Sequence, residues 1–399
     1  SARSTCQTPS RRETLIADEL DVAAVRRAYP VLEELAYFNT GTYGLMAEPV
    51  LEGYLARLSR FERRGMAGVD NLRGEIERAR CRLAGHLGAG VGELALTGNA
   101  TDGIALVAAG LRWEEGDEVI ISDQEHPAMA VPFAHAARRF GVRVRAYPVS
   151  WEAEESLAAI RSLITPRTRM IATSHVTSPY GIRLPVREIA ALAHEHGLPC
   201  LVDAAQSFAV LPVDVREIGC EFLTGNGHKW LGGPKGTGFL YARRDWMEQL
   251  QPALVGDGSM VRGTDALQPD GHRFEFGTRG FATPAGLNDA LDWLERWGWD
   301  RVSHRIETLS GRLKDALQDA PGVEICTPRA WRQASGLISV AVPGHDEAAL
   351  QADLVAHGLF PRTTGPKGSH RLRVSTAFFN DEDEVDRLAA RIREFAART

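Results

Sequence analysis

The chain lacks any long run of apolar residues. No stretch of its 399 residues approaches the roughly 18 apolar residues that a membrane-spanning helix needs. It also lacks an excess of positive charge, because 46 lysines and arginines stand against 52 aspartates and glutamates, for a formal net charge of −6. A protein of this charge has no global basic field that would attract nucleic acid. We therefore expect neither a membrane nor a nucleic acid as a partner.

Cysteine is scarce as well. The five cysteines, at positions 6, 81, 200, 220 and 326, form no C-x-x-C pair and are odd in number. This pattern argues against a disulfide framework and a structural zinc site, and the simplest expectation is a cytoplasmic protein without a metal. Residues 1–13 contain three arginines and lack the apolar segment of a signal peptide, so we expect a polar, flexible arm there.

Lysine is the residue whose scarcity says most about chemistry. It occurs only four times, at positions 229, 235, 314 and 367. Lys229 follows an apolar, strand-like run and precedes the glycine-rich turn 232–238, where the backbone leaves room for a ligand. A lysine at such a strand end is placed to tether a carbonyl cofactor as a Schiff base.

A carboxylate ends another short apolar run upstream. Asp203 closes the run 201–203 and is predicted to lie at the carboxyl edge of a sheet, where open α/β sheets bind ligands. Taken alone, Asp203 could equally cap a helix or close a turn. Together with Lys229, it could keep the pyridine nitrogen of pyridoxal phosphate protonated, which makes that ring an electron sink.

The fold class follows from the alternation of strands and helices between residues 93 and 243. The predicted strands are 93–97, 118–122, 142–148, 170–175, 199–203, 222–224 and 238–241. Short strands with two apolar faces, separated by helices, predict an α/β fold with a mostly parallel seven-stranded sheet covered on both faces. We divide the chain into an N-terminal arm (1–36), a large domain (37–255), a long loop (256–285) and a smaller α+β domain (286–399).

Four motifs, in this order, resemble the class V aminotransferase family of fold-type I pyridoxal-phosphate enzymes. They are Gly98-Asn99-Ala100-Thr101, Glu125-His126-Pro127-Ala128, Asp203-x-x-Gln206 and Asn226-x-His228-Lys229. The resemblance runs from about Tyr37 to the C-terminus, and the branch that it indicates contains isopenicillin N epimerase, cysteine desulfurases and C–S lyases. It implies pyridoxal 5'-phosphate as cofactor, an amino-acid substrate, and a homodimer with shared active sites.

The resemblance also implies a role for each motif residue. Lys229 would tether the cofactor, Asp203 would face the pyridine nitrogen, His126 would stack on the ring, and Gln206 would donate to the phenolic oxygen. Ser178 stands where desulfurases carry an asparagine that contacts the same oxygen. The cofactor phosphate would be held by Asn99, Ala100, Thr101, Asn226, His228 and, from a second subunit, Thr278.

From the residues alone, other interpretations stay open for these motifs. Residues 98–101 end a strand and open a helix, so their free amides suit an anion, but they could also form an ordinary capping turn. A lone histidine at a strand end, such as His126, is usually structural.

Two further segments are candidates for substrate binding. Arg373, in Arg371-Leu372-Arg373-Val374-Ser375, aligns with the family's carboxylate-binding arginine, and its planar fork matches a carboxylate bidentately. The alternative for Arg373 is an ion pair with the acidic run 381–384. Asn39, Thr40 and Gly41 would line the mouth of the site, or else form a packed turn.

The reaction type is the open question at this stage. Cysteine desulfurases carry a persulfide cysteine shortly before the arginine, but residues 362–371 contain no cysteine. We rank a C–S lyase of secondary metabolism first, an epimerase second and an aminotransferase third. A non-catalytic binding subunit of the same fold is an alternative of another class, disfavoured because the lysine, aspartate and phosphate motifs are all present.

Overall fold

The computed structural model describes residues 20–365 and 371–398, so the predicted arm at residues 1–13 lies outside the described residues. The strands are β1 (Ala36–Tyr37), β2 (Leu94–Thr97), β3 (Glu118–Ser122), β4 (Arg143–Tyr147), β5 (Thr168–Ser174), β6 (Cys200–Asp203), β7 (Phe222–Asn226), β8 (Gly238–Ala242), β9 (Glu324–Ile325), β10 (Leu337–Ala341), β11 (Leu359–Phe360), β12 (Arg362–Thr364) and β13 (Arg371–Ser375).

The helices connect and cover these strands. They are α1 (Val22–Arg26), α2 (Glu48–Arg64), α3 (Val69–His86), α4 (Ala100–Gly110), α5 (Pro127–Phe140), α6 (Ala153–Leu163), α7 (Val186–Glu195), α8 (Val215–Ile218), α9 (Arg244–Met247), α10 (Ala282–Ala285), α11 (Leu287–Trp297), α12 (Trp299–Leu317), α13 (Glu347–Ala356) and α14 (Glu382–Ala396).

The large sheet has the strand order β2-β8-β7-β6-β5-β3-β4. β8 runs antiparallel to both of its neighbours, and the remaining pairs are parallel. The predicted mostly parallel seven-stranded α/β sheet is therefore confirmed, and each predicted strand boundary lies within two residues of the observed one. Every residue of β3, β6, β7 and β8 is buried, because helices cover both faces of the sheet and exclude water from them.

A smaller antiparallel sheet, β12-β13-β10-β9, follows in the chain. Its own apolar cluster includes Leu309, Ile338, Leu372 and Leu388. The first strand of the chain returns to this region, because β1 pairs with β11 and Asn39 bridges to Ser375. These contacts bring residues 36–44 beside β13, which carries Arg373.

The segment 256–280 has little regular structure, as predicted, but it is fixed to the edge of the large sheet. It contains one short 3-10 helix, Gly271–Phe274. The Glu275 carboxylate accepts the Leu96 amide at 2.7 Å, and the Arg279 guanidinium donates to the Leu96 carbonyl at 2.6 Å. The unpaired outer edge of β2 is thereby covered. The division into domains at residues 36, 255 and 285 stays a prediction.

Within the described residues, no helix has the length and apolar character to cross a membrane, and no group of three histidine, cysteine or acidic side chains could hold a metal ion. Cys81 is disulfide-bonded, whereas Cys200, Cys220 and Cys326 are free. The cysteine spacing argues against a framework of several disulfides, but it does not exclude a single bridge.

Candidate functional site

The candidate site lies at the carboxyl edge of the large sheet, where β6 and β7 end side by side. Asp203, the last residue of β6, pairs with Thr224 of β7, and the chain leaves β7 at Asn226 to reach Lys229 three residues later. Because parallel strands end at the same edge, the two residues singled out by the sequence come together there.

Lys229 presents an amine with no fixed partner. Its ammonium group makes no hydrogen bond or ion pair within the described residues, and the side chain is only partly buried. Burial, together with the charges of Arg373 and Arg362, lowers the pKa of Lys229 to about 8, although Asp203 acts in the opposite direction. A lysine with such a pKa has an appreciable unprotonated fraction near neutral pH and can act as a nucleophile or base.

The two oxygens of Asp203 allow both predicted roles, a carboxylate that closes a turn and a partner for the ring nitrogen of a cofactor. One oxygen, Oδ1, accepts the Ala205 amide at 2.8 Å, so the carboxylate does close a turn. The other oxygen, Oδ2, accepts no hydrogen bond within the described residues. Burial raises the pKa of Asp203, while Lys229 and the Ala205 amide act to lower it. A buried carboxylate with one open oxygen suits a cationic ring nitrogen.

His126 stands after β3 with its ring exposed. The Ala128 amide donates to Nδ1 at 3.0 Å, which fixes the ring orientation and places any proton of the neutral ring on Nε2. Partial burial of the side chain, with the charges of Lys229, Arg373 and Arg362, lowers the pKa of His126 to about 4. The ring is therefore neutral at pH 7, and a neutral exposed ring is able to stack on another aromatic ring.

Glu125 is a functional candidate that belongs to one of the sequence motifs but for which the motif predicted no role. Its carboxylate accepts the Ser122 hydroxyl at 2.7 Å, the Ser174 amide at 2.9 Å and the Ser174 hydroxyl at 2.5 Å. Burial, with a contribution from the charge of Asp203, raises the pKa of Glu125 to about 7. These bonds tie the segment that carries His126 to the end of β5, next to Asp203. An acid three residues after the end of β3, at this edge of the sheet, was the signal available in the sequence.

The start of α4 forms an ordinary helix cap and also offers a donor that could bind the cofactor phosphate. Asn99 Oδ1 accepts the Asp102 amide at 2.9 Å, which is an ordinary helix cap. The Ala100 amide donates to Asn226 Oδ1 at 2.9 Å. Asn226 therefore stabilises the turn, and the Ala100 amide is not free to bind a phosphate. Among the predicted donors, Thr101 is exposed and its hydroxyl makes no hydrogen bond within the described residues. His228 Nδ1 lies 3.0 Å from the Thr237 carbonyl, which leaves Nε2 for a ligand.

No contact within the described residues places Thr278 beside these candidates for binding the phosphate. It is exposed and makes no hydrogen bond within the described residues, and the preceding Gly277 has a φ of 70°. A contribution from Thr278 to the site of a second subunit stays a prediction.

Arg373 is almost completely buried, at 4% exposure, beside the end of β5. Its Nη1 donates to the Ser178 hydroxyl at 2.9 Å and carbonyl at 3.2 Å, and its Nη2 donates to Thr42 Oγ1 at 2.7 Å. Its Nε is a buried donor with no partner in the described part of the chain. Ser178, predicted to contact the cofactor, thus contacts the arginine, and its hydroxyl oxygen is engaged there.

The acidic run 381–384 does not pair with Arg373. Asp381 and Glu384 pair with Arg26, and Glu382 pairs with Arg305. The surface ion pair considered as the alternative for Arg373 is therefore not formed, and the guanidinium keeps free donors for a ligand.

The turn formed by residues 39–44, here called the mouth turn, is both packed and part of the site. Gln206 Nε2 donates to the Gly41 carbonyl at 2.8 Å, while Gln206 Oε1 accepts the Trp230 indole N–H at 3.0 Å. The Gly41 amide donates to Ser375 Oγ at 3.1 Å. Gln206, predicted to donate to the cofactor, keeps one N–H for that role. The buried Thr40 hydroxyl has no partner among the described residues.

Gly44 is a requirement of this site that the sequence motifs did not indicate. Its amide donates to the His228 carbonyl at 2.9 Å, and a Cβ at this position would lie 1.8 Å from the Lys229 carbonyl oxygen. We expect Gly44→Ala to push the mouth turn away from Lys229 and to cost about 1–3 kcal/mol of stability.

The measurement is thermal or chemical unfolding, together with the affinity of the protein for pyridoxal phosphate. Gly74→Ala is the matched control, because Gly74 lies in α3 with open space around it, and alanine there should be neutral or stabilising. Equal stability and cofactor affinity in Gly44→Ala and wild type would contradict this role of Gly44.

The residues present fit pyridoxal phosphate. Within the part of the chain that the structure describes, the site offers an amine without a partner (Lys229), a carboxylate with an open oxygen (Asp203), an exposed neutral ring (His126) and a free donor at the start of a helix (Thr101). Each of these groups matches one part of that cofactor: the aldehyde carbon, the ring nitrogen, the ring face and the phosphate.

Comparisons with known proteins agree with this geometry. The family description Aminotransferase class-V matches residues 50–388. The chain is 31% identical to a probable cysteine desulfurase 2 of Mycobacterium leprae, over 94% of this chain and 97% of that protein. It is 32% identical to an isopenicillin N epimerase of Streptomyces clavuligerus, over 88% and 92% of the two chains.

A solved complex of the cystine C–S lyase C-DES with its reaction product, cysteine persulfide, superposes with a TM-score of 0.86 at 29% identity, covering 92% of this chain and 99% of that chain. The predicted resemblance is thereby confirmed. The chain belongs to the class V aminotransferase family and is a fold-type I, pyridoxal-phosphate-dependent enzyme.

Proposed function

We propose that the enzyme is a C–S lyase, which releases a thiol from an S-substituted cysteine by β-elimination and serves secondary metabolism. The observation that carries this proposal is the Lys229 amine, which has no hydrogen-bond or ion-pair partner among the described residues, has a pKa of about 8 and lies within the electrostatic reach of both Asp203 and Arg373. Such an amine can take the proton from the substrate Cα, and loss of that proton starts the elimination.

Each of a few residues has one role in the proposed reaction. Pyridoxal phosphate, when bound, supplies the electron sink that makes the Cα proton acidic. Lys229 tethers the cofactor and then takes the Cα proton, which leaves on the released thiol, while Asp203 offers its open oxygen to the ring nitrogen. Arg373 binds the substrate carboxylate through the Nη2 N–H that its bond to Thr42 leaves free within the described residues. His126 covers the ring and excludes water.

A C–S lyase is proposed in preference to a cysteine desulfurase because of a cysteine that the sequence lacks. Many of the relatives are described as cysteine desulfurases, whose reaction also breaks a C–S bond. A desulfurase needs a cysteine that receives the sulfur, and residues 362–371 contain none. C-DES offers a precedent in the family for a C–S lyase acting on an S-substituted cysteine, namely cystine.

Epimerisation is the second candidate, because an isopenicillin N epimerase is among the relatives. It requires an acid that gives a proton to Cα from the face opposite Lys229. His126 is the residue proposed for that face, and its pKa of about 4 leaves it without an imidazolium proton at pH 7. Because this face lacks a protonated acid among the described residues, we rank the lyase above the epimerase.

The proposal includes a cytoplasmic homodimer in which Thr278 of each subunit completes the phosphate site of the other. Its exposure and its lack of hydrogen bonds within the described residues are compatible with a contact across subunits. The division of the chain into domains at residues 36, 255 and 285 belongs to the same proposal.

The test is an incubation of the cofactor-loaded enzyme with S-alkyl cysteine conjugates, with thiol and pyruvate measured in parallel. Equimolar thiol, pyruvate and ammonia are expected, because the 2-aminoacrylate left after loss of the thiol hydrolyses after release. Deuterium incorporation at Cα with inversion and no thiol would reject the lyase and leave the epimerase. Stoichiometric conversion to the pyridoxamine form would indicate an aminotransferase, and a protein that binds substrate without turnover would indicate a binding subunit.

A further inference from the structure

The segment between β3 and α5 holds His126 at the candidate site. It spans residues 123–126 and has no regular secondary structure. The ring of His126 is exposed, and its only hydrogen bond within the described residues comes from the Ala128 amide of α5, the helix that His126 caps. No bond of the ring itself therefore fixes its position relative to the large sheet. That position depends on how the segment is anchored.

Two acidic side chains anchor this segment to different strands. Asp123 accepts the Val149 amide at 3.0 Å, which fixes the start of the segment beside the chain that leaves β4. Glu125, directly before His126, reaches β5 instead. Its carboxylate accepts the amide of Ser174 at 2.9 Å and the hydroxyl of Ser174 at 2.5 Å. Glu125 therefore connects the segment to β5, the neighbour of β6 in the large sheet.

The Glu125 anchor is one strand away from Asp203. Ser174 is the last residue of β5 and lies opposite Asp203 in the register of β5 and β6. The next amide, that of His175, donates to the Asp203 carbonyl at 2.9 Å. One side chain and one pair of strand residues thus connect His126 to the strand end that carries Asp203.

Glu125 uses both of its oxygens in this anchor. Oε1 accepts the Ser122 hydroxyl at 2.7 Å as well as the Ser174 amide, and Oε2 accepts the Ser174 hydroxyl. A glutamine of the same shape can accept the first two bonds at its oxygen and donate to the Ser174 hydroxyl oxygen from its nitrogen. Alanine removes all three bonds, so the two variants separate the geometry of the anchor from its charge.

We propose that Glu125 is the positioning residue for His126. Its bonds to β5 set the position of the His126 ring relative to Asp203, so that the ring covers the cofactor whose nitrogen Asp203 faces. The inference rests on the proposed role of His126 in covering the ring, and it adds a residue that acts only through His126.

A double-mutant cycle on Glu125 and His126 tests this inference. The readouts are the affinity of the protein for pyridoxal phosphate and the circular dichroism of the bound cofactor. Loss of a stacking contact should make His126→Ala weaken this affinity by about 3- to 10-fold. Glu125→Ala should weaken it by the same factor or less, and the double variant should bind no more weakly than His126→Ala alone. Glu125→Gln should retain the affinity and the dichroism of wild type.

Two further variants separate this role from a general loss of stability. Ser174→Ala removes only the side-chain bond to Oε2, so it should lower the affinity in part and add nothing to the loss in His126→Ala, even if Glu125→Ala does not fold. Asp123→Asn is the matched control, because it alters the other anchor of the same segment, and it should bind the cofactor as wild type does.

Three results would overturn the inference. Losses that add in the cycle would show that Glu125 does not act through His126, and a Glu125→Ala protein with wild-type affinity and dichroism, beside an impaired His126→Ala, would show that the anchor is not needed. A His126→Ala protein that binds the cofactor as wild type does would reject the covering role of His126 and the inference with it. Neither readout requires turnover, so a thiol assay that rejects the lyase leaves this test decisive.

Discussion

Lys229→Ala is expected to abolish turnover and the absorption band of the covalently bound cofactor while leaving the fold intact. Removing a positioned base alone typically costs about 10²- to 10⁴-fold, and loss of the covalent tether should cost more. The fold should survive because the Lys229 ammonium makes no hydrogen bond or ion pair within the described residues, so alanine leaves no partner unsatisfied.

Absorbance spectra and steady-state rates measure this effect. Lys235→Ala is the matched control, because Lys235 lies six residues further along in the glycine-rich turn, is exposed, and within the described residues donates only to the Gly44 carbonyl. A cofactor band that survives in Lys229→Ala would assign the tether to one of the other three lysines and refute the role of Lys229.

Asp203→Asn is expected to slow removal of the Cα proton more than it weakens cofactor binding. A carboxylate beside a pyridinium raises the pKa of the ring nitrogen by about 1–3, so the neutral amide should leave the ring a weaker electron sink. One pKa unit corresponds to a tenfold change, and we therefore expect a loss of about 10- to 1000-fold.

Exchange of the Cα proton with deuterated solvent measures that step directly. Asp123→Asn is a suitable control, because this exposed carboxylate follows β3 at the same edge of the sheet and accepts only the Val149 amide. Equal exchange rates in Asp203→Asn and wild type would contradict the assignment of Asp203 to the ring nitrogen.

The parts of the site that lie on strands and helices could be predicted from the sequence. Apolar runs that end in Asp203 and precede Lys229 predict strands, and parallel strands deliver their last residues to one edge. The start of α4 was predictable for a similar reason, since Asn99 is a strong helix-capping residue. These inferences depend on local pattern and on a general property of parallel sheets.

The parts that depend on contacts between distant segments could not be predicted from local pattern. Thr42 and Arg373 are separated by 331 residues and meet only because β1 pairs with β11 and brings the mouth turn to β13. The use of the Ser178 hydroxyl by Arg373, and of the Ala100 amide by Asn226, likewise follows from tertiary packing. Gly44 is required by a close approach of two backbones, and no spacing rule reports such an approach.

Identification of the residue that bonds to the cofactor tests the central claim most directly. The cofactor-loaded enzyme would be treated with borohydride, which makes the bond between the cofactor and its lysine permanent, and digested for peptide mass spectrometry. The account predicts one pyridoxyl-modified residue, Lys229, with Lys235, Lys314 and Lys367 unmodified. A modification at one of those three lysines, or no modification in a protein that has bound the cofactor, would contradict it.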